Sequence, residues 1–143
     1  MKKAWTQIGI GLLPILLGFC CSFLFALPVP FFLTNLLVIA LWTWLCFRFS
    51  DPVSRLFPQF LRLCLPGAII LVLAIWQELV PGSALPDIVI SASQFYFLSG
   101  ITLAGRLLTP FLRVITAWPY YVIDYFLLST LCLLSLILKK KVT

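Results

Sequence analysis

Four stretches of the chain are apolar over close to the length that crosses a bilayer: Ile8 to Leu27, Phe31 to Phe47, Leu63 to Val80 and Tyr120 to Leu138. A helix rises about 1.5 Å per residue, so roughly 20 such residues cover a hydrocarbon core of about 30 Å. The pattern predicts four transmembrane helices. Pro28-Val-Pro30 and Pro81-Gly-Ser-Ala-Leu-Pro-Asp87 read as turns between them.

Two stretches depart from this pattern. Between Arg48 and Arg62, Asp51 and Pro52 read as a helix start, an acceptor side chain followed by a residue whose missing N–H costs nothing in a first turn. Val53, Leu56, Phe57, Phe60 and Leu61 then share one face, while Arg55, Gln59 and Arg62 share the other. This spacing predicts a short helix lying in the plane of the membrane surface and bent at Pro58. The second stretch runs from Ile88 to Trp118. Ser99, Thr102, Arg106, Thr109, Arg113 and Thr116 recur at steps of three and four, so a continuous helix would carry them as one polar stripe, with a bend at Pro110. Such a helix either lies on the surface or buries its stripe. The expected fold is an all-α integral membrane protein with four transmembrane helices plus an amphipathic surface or re-entrant helical segment. A five-span alternative holds if Ile88 to Gly105 crosses. The whole chain, 1–143, reads as a single polytopic membrane domain.

Basic residues near span ends set the direction of insertion, because they are retained on the cytoplasmic side. Four spans put Lys2, Lys3, Arg48, Arg55, Arg62 and Lys139 to Lys141 inside, with Arg106 and Arg113 outside. Five spans exchange the last lysines for the two arginines, which is the poorer balance. The expectation is a multi-pass plasma-membrane protein with a cytoplasmic N-terminus. The first span is expected to be retained, since Leu24 occupies the third position before a cut after Ala26, where a small residue is required. Trp42 and Trp44, followed by Arg48, read as an aromatic belt at the inner interface.

Composition sharpens this picture. Hydrophobic residues make up 63% and charged residues 10% of the 143, which excludes an ordinary soluble domain. The net charge of +6 is scattered over span ends, so its expected partners are the lipid bilayer and its anionic headgroups, and no nucleic acid. Cys20, Cys21, Cys46, Cys64 and Cys132 form no CxxC pair and the chain has no histidine, so no metal and no cofactor are expected and the cysteines read as packing residues. Gly11, Pro14, Gly18 and Ser22 fall on one helical face and offer close approach to another helix, from a membrane protein partner or a second copy in a homo-oligomer.

No paired catalytic carboxylates and no nucleotide-binding or metalloprotease motif occur, so no catalytic residue is assigned and no enzyme is expected. In the four-span arrangement Glu78, Arg106, Arg113 and Asp124 gather at one membrane face as a candidate outer-side charged cluster. Two roles follow: a non-enzymatic accessory or scaffold subunit of a membrane complex, or a small oligomeric solute or ion transporter. The chain resembles small multidrug exporters in its short four-span layout alone. Their essential acid lies in the first span, where this sequence has none.

Overall fold

A computed structural model describes residues 2–24, 31–80, 86–98, 100 and 117–142. These residues form five helices: α1 (Lys2–Leu24), α2 (Phe31–Phe49), α3 (Leu56–Leu79), α4 (Asp87–Leu98) and α5 (Trp118–Val142). By length and composition α1, α2, α3 and α5 are able to cross a membrane. At 12 residues, α4 extends about 18 Å, shorter than that length. Large apolar side chains such as Leu16, Phe23, Leu37, Val72 and Phe126 point outward, whereas Gln7, Asn35, Gln59, Ser93, Asp124 and Ser135 are buried. That distribution suits a hydrocarbon surround, where polar groups find partners only inside the protein.

The long helices form a ring in which α1 packs on α2 and α3, and α5 packs on the same two from the opposite side. Lys3 at the start of α1 meets Asp51 between α2 and α3, and Lys139 near the end of α5 lies over the Phe47 ring of α2. These contacts gather one end of the bundle. At the other end the last turn of α3 meets the start of α5. The short α4 touches α1, α3 and α5 and fills this second end between them.

Glycines set how closely the helices approach. A methyl group at Gly11 would meet the backbone of Leu63 in α3, and one at Gly18 would run into the backbone of Phe95 in α4. The small-residue face of α1 is thus engaged within the bundle.

Pro14 governs a second contact. Lacking an N–H, it leaves the Ile10 carbonyl one turn earlier without its helical donor. The indole Nε1–H of Trp42 donates to that oxygen at 3.0 Å. Trp42 is therefore buried in the core, and only Trp44 of the expected aromatic belt faces outward. Removing the donor strands a carbonyl in a low-dielectric interior. Trp42→Phe is expected to cost about 1–3 kcal/mol, read as a lower unfolding temperature in detergent. Pro14→Ala supplies the missing N–H, so the indole-dependent part of that loss should shrink in the Trp42→Phe/Pro14→Ala double variant.

The stretch around Asp51 differs from the expected surface helix. Residues 52–54 form a turn, α3 begins at Leu56, and of the residues assigned to a separate helix those from Leu56 to Arg62 are its first turns, with Val53 in the turn and Arg55 just before the helix. The Asp51 carboxylate accepts from the backbone N–H of Val53 at 3.2 Å, which closes a turn rather than starting a helix. The Gln59 side chain receives the Asp51 N–H at 2.7 Å and donates to the Asp51 carbonyl at 2.7 Å, so Gln59 is buried rather than solvated. Pro58 sits in the first turn of α3, where no intrahelical donor is lost. Hydrogen bonds from Lys3 and the Val53 N–H hold the Asp51 carboxyl below its usual range. A lowered carboxyl favours the folded form above the ordinary carboxylate range, and this contribution fades as pH falls through the lowered value.

Candidate intramembrane acid site

Ala117, which precedes Trp118 and Pro119 at the start of α5, has no side-chain acceptor to cap the helix. Glu78, in the last turn of α3, supplies one from a distance. Its two carboxylate oxygens accept the N–H groups of Ala117 at 2.7 Å and Trp118 at 2.6 Å. The negative carboxylate also complements the positive end of the helix dipole. Glu78→Ala is expected to cost about 1–2 kcal/mol of stability, measured by thermal unfolding, with Glu78→Gln losing less.

From Ala117 to Asp124 the helix advances about 10 Å. Asp124 is fully enclosed, at 0% exposure. Neither of its carboxyl oxygens has a hydrogen-bond partner among the described residues. Directly against it lies Gly100, just past the end of α4, where any side chain would collide with the carboxyl group. The Gly100 N–H is already given to the carbonyl of Phe97 at 3.2 Å, so it does not serve the acid. Tyr96, also buried, lies with its ring against Gly67 of α3.

Ionised, the Asp124 carboxyl would carry a full negative charge here, beside the partial negative charge at the C-terminal end of α4. Within a membrane, such a charge requires a proton, a cation or a cationic side chain beside it, since leaving it bare costs several kcal/mol.

No family model, curated protein or solved structure matches this chain.

Of the four residues of the candidate cluster, Glu78 and Asp124 are described, one capping a helix and the other enclosed deeper in the bundle. Arg106 and Arg113 lie outside the described residues, as do Ser99, Thr102, Thr109 and Thr116 of the polar stripe. Gln7, buried beside Gln59, was not singled out from the sequence, where it stands just ahead of the first apolar run. Nor did it join Cys46, Cys64 and Cys132, which meet in the core from α2, α3 and α5. Among the described residues no group of three or more His, Cys, Asp or Glu is arranged to hold a metal ion.

Proposed function

We propose that the chain is a four-span plasma-membrane protein with its N-terminus and last lysines cytoplasmic and α4 a re-entrant helix entering from outside. In this reading it works in several copies as a small transporter driven by a proton or a small monovalent cation. Asp124 is the coupling acid. The observation that carries the reading is the enclosure of this carboxyl, without a hydrogen-bond partner among the described residues, against the end of a half-length helix. Intramembrane acids mark ion pathways, and half-helices ending inside a membrane are a recurrent way of building ion sites. A chain of 143 residues offers one copy little room for a path, which is why several copies are invoked. An accessory role would draw instead on the outward faces of the bundle, because Gly11 and Gly18 are engaged inside.

A hydrophobic carbodiimide, which adds to carboxylic acids within membranes, tests this directly. Peptide mass mapping should find Asp124 modified, at a rate that changes with pH or falls when sodium chloride replaces choline chloride. Modification indifferent to both would overturn the proposal. The topology is checked separately. A reporter active only outside the cytoplasm should be silent after Thr143 and active when placed between Arg106 and Arg113.

A further inference from the structure

Between α1 and α3 an apolar groove of about 330 Å³ opens on the outward surface of the bundle. Pro66 and Ile70 form its buried floor, while Leu12, Leu65 and Ile69 are its exposed walls. Arg62 stands at its head. From Arg62 to Ile69 the groove descends about 10 Å along α3, from the level of the loop around Asp51 into the apolar length of the helix.

The arginine is held in place by a chain of amides. Its Nη1 donates to the Gln7 Oε1 at 3.3 Å, the Gln7 Nε2 donates to the Gln59 Oε1 at 3.2 Å, and Gln59 is fastened to the backbone of Asp51. Gln7 and Gln59 are each 3% exposed, so the chain is fixed within the bundle, whereas Arg62 itself is exposed. A guanidinium has five N–H donors, and this contact uses one.

We propose that the groove binds one acyl chain of an anionic phospholipid, with the lipid phosphate on Arg62. Charge and shape select this occupant. A fixed cation at the interface attracts an anionic headgroup, and an apolar channel leads from it into the hydrocarbon, as the geometry of a phospholipid demands. In the orientation proposed above this lipid lies in the cytoplasmic leaflet; the groove and the arginine at its head do not depend on that orientation.

Native mass spectrometry of the purified full chain tests this with phosphatidylglycerol and phosphatidylcholine of identical acyl chains. The wild type should retain phosphatidylglycerol with roughly fivefold or greater preference. Arg62→Gln should bring it to the phosphatidylcholine level, and Arg62→Lys should keep part of the preference. Ile69→Trp, which fills the groove and leaves Arg62 intact, should remove the bound lipid. Equal retention of the two lipids, or a preference untouched by Arg62→Gln, would overturn the proposal. So would displacement by excess inorganic phosphate, which would indicate an anion site without a chain. A shift from dimer to monomer in Ile69→Trp would assign the groove to a second copy and overturn it as well.

Discussion

Asp124→Asn is expected to leave the protein folded and at least as stable while abolishing its response to ions. The substitution keeps the shape of the side chain in a place where Gly100 leaves no space to spare. It removes the capacity for a full negative charge from a site with no donor among the described residues. Where the carboxyl is ionised, its replacement by a neutral group of the same shape is commonly neutral or favourable, and where it is protonated the two side chains differ little. Thermal unfolding in detergent should therefore show an unchanged or higher midpoint. Carbodiimide labelling at this position and any sodium- or pH-dependence of the protein's behaviour in liposomes should disappear. A group kept only for packing would show the stability change without the second loss. A gain of stability accompanied by loss of function is the signature of a site retained at a cost to the fold.

The second large effect belongs to the glycines where helices meet. Gly18→Ala would drive α1 away from the backbone of Phe95, and Gly100→Ala would press a methyl group onto the Asp124 carboxyl. Neither obstacle is the free end of a flexible side chain, because one is backbone and the other is a short, enclosed group. Each substitution should cost about 1–3 kcal/mol, as overpacking does. Gly9 provides the control within the same helix, since nothing lies within 4 Å of an added Cβ there. Gly9→Ala should be neutral or slightly stabilising. Comparing the three unfolding midpoints separates close approach from the general properties of glycine in a membrane helix.

The long helices were legible because the length and apolarity of a span are local properties of the chain. What escaped were contacts between distant positions. Asp51 followed by Pro52 has the composition of a helix start, yet its carbonyl and N–H are taken by Gln59, and the chain turns instead before α3 begins. Trp42 lies close enough to the end of its span to read as an interface anchor. Its burial depends on a carbonyl freed by Pro14 in another helix. The small-residue face of α1 was visible from spacing, but spacing does not say whether the approaching helix belongs to a partner or to the same chain; here α3 and α4 occupy it. Asp124 reads as an acid about one turn inside the last span. Its enclosure involves Gly100, just past the end of α4, a contact between distant positions that no local pattern specifies. Glu78 serves a helix start in which the sequence lacks a cap of its own.

A carboxyl at Asp124 that takes up and releases an ion changes its vibrational spectrum as it does so. Infrared difference spectra of the wild type in reconstituted membranes, recorded with sodium against choline and at acid against alkaline pH, follow that carboxyl directly. At least one of the two spectra should contain a carboxyl band that Asp124→Asn removes. Spectra that Asp124→Asn leaves unchanged would contradict ion uptake there.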